Sequence, residues 1–236
     1  MPQTLGIIGS GMIGGVVARL AVAAGLDVVV SNSRGPETLA GLVAELGERA
    51  RAATPEEAAR AGDLVVVAVP LKAYDRLPVA DLAGKTVIDA MNHHPDRDGR
   101  IAALDAGELT SSELVQRQLA GATVVKAFAT IDFLHLGTLA RPAGAADRSA
   151  LPVAGDDADA KAQVTRLLDL LGYDTVDAGT LADSGRLAPG SPVYVQPYMG
   201  ERPEGLSPEE AHRWFLASPG VPVPAARVKE LIDTAH

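Results

Sequence analysis

Three glycines in one short stretch, Gly9, Gly11 and Gly14 of GIIGSGMIGG, have the spacing that receives a pair of linked phosphates. In a turn from a strand into a helix, the first permits a tight reversal. The second lets backbone approach a pyrophosphate, and the third lets helix and strand pack closely. The helix that opens there offers free N–H groups and a partial positive charge. The candidate phosphate-binding residues are therefore Gly9, Ser10, Gly11, Met12, Ile13 and Gly14. Further on, the chain reads Ser31-Asn32-Ser33-Arg34, with no carboxylate before Glu37. A carboxylate at that place would hold the ribose hydroxyls of NAD and repel a 2′-phosphate, whereas hydroxyls and a guanidinium bind one. The pattern predicts NADP(H), with Arg34 on the 2′-phosphate, Ser31 and Ser33 as hydroxyl donors, and Asn32 alongside.

Those residues need a parallel sheet to position them. Leu5 to Gly9 reads as a strand, Met12 to Ala24 as a helix ended by Gly25, and Asp27 to Ser31 as a second strand. That is a β-α-β unit in about thirty residues, close to the shortest crossover between parallel neighbours. Pro36 to Leu46 reads as a helix, and Thr54 as the N-cap of another with Pro55 in its first position. The runs LVVVAVP (64–70), TVIDAMN (86–92) and TVVKAFAT (123–130) are continuously apolar, as expected of strands covered on both faces. A helix from Thr110 to Leu119 lies between the last two. The expected fold is α/β: a doubly wound, mostly parallel Rossmann sheet with a small C-terminal extension. We place an NADP-binding domain at 1–150. A smaller portion at 151–236 would complete the substrate cleft, with β-α-β segments at LPVAGDD, Asp157 to Leu171 and DTVDAG. The proline-rich tail that follows is helical at Ser207 to Leu216 and Pro224 to Ala235.

Ligands of such sheets bind outside the carboxyl ends of the strands. Val69 and Pro70 would cross the second ribose, while Asn92 and Thr130 end later strands toward the nicotinamide and substrate. Lys126, Asp132, His135 and Tyr194 could supply a proton if the substrate requires one, though Lys126 in an apolar strand is expected to snorkel. His93, His94, Asp96 and Asp98 share one loop, but adjacent histidines rarely converge on a metal, and none is expected. Arg117, Arg141 and Arg148 could meet an anionic tail, with solvated surface as the default.

The bulk numbers narrow the field. With 236 residues and a formal charge of -9, the chain lacks the basic face of a nucleic-acid binder. It has no cysteine, which excludes disulfides and thiolate chemistry. Without a leader-like segment or an apolar run of membrane length, the expectation is a cytoplasmic protein with no membrane partner. A homodimer is expected, since the tail's aromatic residues need a surface to pack against.

Taken together, GIIGSGMIGG, SNSRGPETL, LVVVAVP, GKTVIDAMN, SSELVQRQLAGATVVKAF, PVAGDDADAK and LGYDTVDAG resemble the coenzyme F-420-dependent NADP oxidoreductases, from about Thr4 to Tyr194. The resemblance implies a Rossmann domain with the deazaflavin ring in a cleft against the C-terminal portion. It also implies direct hydride transfer between deazaflavin and nicotinamide, with Ser33-Arg34 matching the family's 2′-phosphate pair. One departure is Ala129, where many relatives carry Asn. Ferric-reductase domains share the layout. The expected activity is hydride transfer between NADP(H) and F-420. The alternatives are an NADPH-dependent reductase of a metabolite C=N or C=O bond, and a non-catalytic NADPH-binding redox sensor. Imine and ketol-acid reductases add a large helical domain for which this tail is short.

Overall fold

A computed structural model describes residues 4–235. The strands are β1 (Thr4–Ile8), β2 (Asp27–Ser31), β3 (Ala50–Ala53), β4 (Leu64–Val67), β5 (Thr86–Asp89), β6 (Thr123–Lys126), β7 (Ala150–Gly155) and β8 (Asp174–Asp177). They form an eight-stranded sheet in the order β3-β2-β1-β4-β5-β6-β7-β8. The pairs are parallel except β6 with β7, which run antiparallel through Val125↔Gly155 and Lys126↔Ala154. The strands of the C-terminal portion thus extend the sheet of the first six.

The continuous apolar strands are explained by what lies on either side of them. Along β4, Leu64 and Val66 enter one hydrophobic cluster, while Val65 and Val67 enter the other. Strands β5 and β6 divide likewise, with Ile88 and Val125 on one face and Val87 and Val124 on the opposite one. Side chains alternate across a strand, so a strand buried twice must be apolar at every position. Burying each such valine contributes about 1.5–3 kcal/mol.

Side-chain caps fix several helix starts. Thr54, Thr110 and Ser207 each form a capping box with a glutamate three residues on, opening helices Pro55–Ala61, Ser111–Gln118 and Pro208–Ala217. Asp132 and Asp157 accept from backbone N–H groups at the starts of Phe133–Thr138 and Ala158–Leu170. The first helix, Met12–Ala23, differs: its N-cap is Gly11, without a side-chain cap or an acidic residue in its first turn. Its leading N–H groups are left for a ligand or water.

Two elements escape the sequence pattern. Strand β3 has the sequence ARAA, with only Ala53 fully buried, so it lacks the apolar run that marks its neighbours. The short helix Phe133–Thr138 follows a run that reads as strand and loop, and it exists because the Asp132 carboxylate satisfies its first N–H groups.

Candidate active site

Strand order brings the turns after β2, β1 and β4 side by side. At the end of β1, Gly9 has φ +99, and a Cβ there would stand 2.5 Å from the Ala68 carbonyl oxygen. Only glycine lacks the atom that would collide. A Cβ on Gly14 would collide with the Gly9 carbonyl, so helix and turn can close only without one. Gly11 is the opposite case: a Cβ there meets nothing within 4 Å. Packing does not demand this glycine, whereas a ligand lying against the backbone would. Gly9 and Ser10 donate their N–H groups to the Ser31 carbonyl at 3.0 and 3.1 Å, which pins the turn to β2. The Ser10 hydroxyl donates to the same oxygen at 3.0 Å.

Two cavities flank this turn. One, of about 490 Å³, is lined by Gly9, Asn32, Ser33, Pro55, Val69, Pro70, Lys72 and Arg76 among others. The other, of about 390 Å³, lies over the ends of β5 and β6 and is lined by Gly11, Met12, Ile13, Asn92, Ala129 and Tyr194 among others. Val69 and Pro70 line both. A groove therefore runs across the carboxyl edge of the sheet, with the glycine turn near its middle.

The structure redistributes several of the expected roles. Ser31 is fully buried and donates its hydroxyl to the Ile7 carbonyl at 2.9 Å, so it joins β2 to β1 and faces no ligand. Ser33 and Arg34 are exposed, and Asn32 shapes their turn by accepting from the Arg34 N–H at 2.9 Å. Lys126 does not snorkel. It is 1 % exposed, pairs with Asp89 at 3.2 Å, and donates to the Met91 carbonyl. Asp89 also accepts from the Ser112 hydroxyl at 2.7 Å and the Met91 N–H at 2.9 Å. This buried, saturated network sits beneath the second cavity and fixes the backbone that carries Asn92.

His135 is also buried. Its Nδ1 lies 2.6 Å from the Asp132 carboxylate, and its ring meets the edge of Phe215 at 5.8 Å. It is a core histidine that orients Asp132, and Asp132 itself reaches the cavity wall. Thr130 is buried behind that wall, where its carbonyl accepts from the Val195 N–H at 2.7 Å. Asn92 does line the cavity, donating its amide to the Ala129 carbonyl at 2.7 Å and leaving a buried Oδ1 without a partner. The loop His93–Asp98 is held by hydrogen bonds of its own, with the His93 ring on the Gly99 carbonyl at 2.9 Å. Arg141 and Arg148 are spent on Asp147 and on Asp169 and Asp174, while Arg117 is exposed on its helix.

Sequence reasoning missed Arg97, which lines the second cavity and bonds Asp98 and the Asn92 carbonyl, each at 2.8 Å. Burial works against the Asp98 carboxylate, but hydrogen bonds from Arg97 and the His94 N–H hold its pKa down to about 2. Burial, with the nearby Arg97 charge, depresses the His94 imidazole below its ordinary value. Burial pushes the Tyr194 phenol up, against a weaker pull from Arg97, so it stays protonated near neutral pH. Phe128 (φ 60) and Val195 (φ 55) are the non-glycine residues with positive φ among those described, and both line this cavity. Such backbone costs on the order of 1–3 kcal/mol and concentrates at functional sites.

Residues 4–93 match the family described as NADP oxidoreductase, coenzyme F420-dependent. A hypothetical protein from Sinorhizobium meliloti is 33% identical, with a TM-score of 0.72 over 83% of this chain and 94% of its own. A candidate F420-dependent NADP-reductase from Arthrobacter sp. FB24 is 25% identical, with a TM-score of 0.64 over 79% of this chain and 88% of its own. The match to this oxidoreductase family thus lies in the first six-strand portion, over residues 4–93. The chain is also 33% identical over 195 residues to the metalloreductase STEAP3 of Rattus norvegicus, covering 82% of this chain but only 37% of that protein. These likenesses are to NADP-dependent oxidoreductases, and the fold they share with this chain is of the Rossmann type. No helix among the described residues is long and apolar enough to cross a membrane.

Proposed function

We propose that the chain transfers hydride between NADP(H) and the deazaflavin coenzyme F-420. The observation that carries this reading is the pair of cavities joined at Val69 and Pro70, which gives room for one extended dinucleotide and one further ring. Gly11 suits the dinucleotide, since its missing side chain leaves open space where packing asks for none. Met12, Ile13 and Gly14 would hold the phosphates by backbone N–H groups, and Ser33 with Arg34 the 2′-phosphate. Asn92 would use its unpartnered Oδ1 to accept from the carboxamide. NADP(H) supplies the hydride, so the protein's task is proximity and orientation rather than proton shuttling. Ile131, Phe133 and Val195 line the second cavity and would shield the reacting rings from water. On this reading the division at 150 is functional: residues 151–236 bring Tyr194 and Val195 to a chamber built by the rest.

The test is the absorbance of oxidised F-420 mixed with NADPH and protein, with NADH and protein-free controls. Rapid bleaching that depends on NADPH supports the reading, and no bleaching with intact NADPH binding refutes it.

Tyr194 favours a second reading, reduction of a metabolite C=N or C=O bond, because that chemistry needs a proton donor and this phenol lines the cavity. Tyr194→Phe separates the two: turnover of an imine or ketone would fall by about a hundredfold or more, the usual scale of general-acid loss. F-420 bleaching would change little. A homodimer in the cytoplasm completes the proposal. The helix Pro208–Ala217 buries none of its residues fully, and Leu216 is 51% exposed. Sedimentation showing only monomer at micromolar concentration would refute the dimer.

A further inference from the structure

The first cavity has an unusual charge for this protein. The chain carries 30 acidic against 21 basic residues, yet this cavity is lined by Lys72 and Arg76 and by no acid. By contrast, Glu108 and Glu113 line the larger cavity beside Thr110. Most arginines here are neutralised by a carboxylate, as Arg19, Arg49, Arg60 and Arg100 are. Several arginines have no ion pair among the described residues, Arg34 and Arg76 included, and of these Arg76 is the one that lines this cavity; neither the Arg34 nor the Arg76 guanidinium donates a hydrogen bond among the described residues. Lys72 is partly engaged, its ammonium lying 3.3 Å from the Arg97 carbonyl.

Topology places Arg34 and Arg76 on opposite sides of one ligand path. Arg34 follows β2 and Arg76 lies in the short helix Leu71–Arg76 after β4, while β1 and its glycine turn run between them. The walls near Arg76 are apolar, formed by Ala73, Leu77 and Pro78, and suit a flat ring. Pyrophosphate is served by the backbone of the glycine turn, so the remaining anion of the dinucleotide is the 2′-phosphate.

We propose that Arg76 is a second specificity residue, closing on the 2′-phosphate of NADP(H) from the side opposite Arg34. The inference rests on the cofactor reading above and extends it to a residue outside the strand-end pattern. Two forks on one phosphate would make the preference for NADPH survive the loss of either alone.

The experiment measures dissociation constants of NADPH, NADH and 2′,5′-ADP for wild type, R34Q, R76Q and the double variant, with thermal melting as a check on folding. The expected result is that R76Q weakens NADPH and 2′,5′-ADP about tenfold and leaves NADH unchanged, with R76K intermediate. The double variant should bind NADPH no better than NADH. Equal loss for NADH and NADPH would place Arg76 on the pyrophosphate, and no loss for either would leave it as surface; both overturn the inference while R34Q still reports on the cofactor reading. A wild type that binds NADH as tightly as NADPH overturns both.

Discussion

At the end of β2 a charge bears on the choice between two cofactors. Arg34 is exposed, faces no carboxylate, and follows a serine whose hydroxyl is free. Arg34→Ala should weaken NADPH binding about ten- to a hundredfold, the scale of a charge-assisted hydrogen bond, while NADH binding barely changes. Fluorescence titration of both nucleotides checks this, and equal losses would count against the 2′-phosphate role. Asp98 gives a pH test of another kind. Its folded pKa is depressed, so its contribution to stability is complete above the ordinary carboxylate range and is lost as pH falls toward about 2. Acid unfolding of Asp98→Asn and wild type should therefore differ above pH 4, with the gap closing as pH falls through that window. A gap that stays constant down to about pH 2 would contradict the assigned shift.

Among the elements, β5 and β6 show how a strand can hide its chemistry. Asp89 and Lys126 are direct partners in the register, and their side chains meet inside the protein. Lys126→Met strands the Asp89 carboxylate without its counter-charge. It should cost about 3–5 kcal/mol in denaturant unfolding, and adding Asp89→Leu should recover much of that. A small effect from the single variant would mean that water reaches the pair. From sequence, a lysine within TVVK reads as snorkelling, because nothing local says that an acid stands opposite it. Helix starts behaved differently: Thr54 was legible as a cap, and helices were read to begin at Thr110, Asp157 and Ser207, because cap and first turn are neighbours in the chain. Ser31 was misassigned for the same local reason. Its type suits a phosphate, but its place inside β2 turns the hydroxyl toward β1.

For the whole molecule, the doubly wound order followed from apolar runs alternating with helical spacing, since each run needs cover on both faces. The antiparallel seam between β6 and β7 did not, because the apolar run of β7 has no direction written in it. Arg76 and Arg97 were equally hidden, each lying in a short helical turn after a strand whose neighbours are set by strand order rather than by sequence distance. Glycines and caps could be read one segment at a time, whereas the walls of both cavities required the assembled sheet.

The shared border at Val69 and Pro70 has a kinetic consequence. If the dinucleotide lies along the groove, its nicotinamide end becomes part of the wall that the next molecule meets, beside Met12 and Asn92. Binding should then be compulsory-order, with NADPH first on and NADP last off. In steady-state inhibition, NADP should be competitive against NADPH and the reduced acceptor should not. A random-order pattern would mean that the second chamber is complete before the dinucleotide arrives.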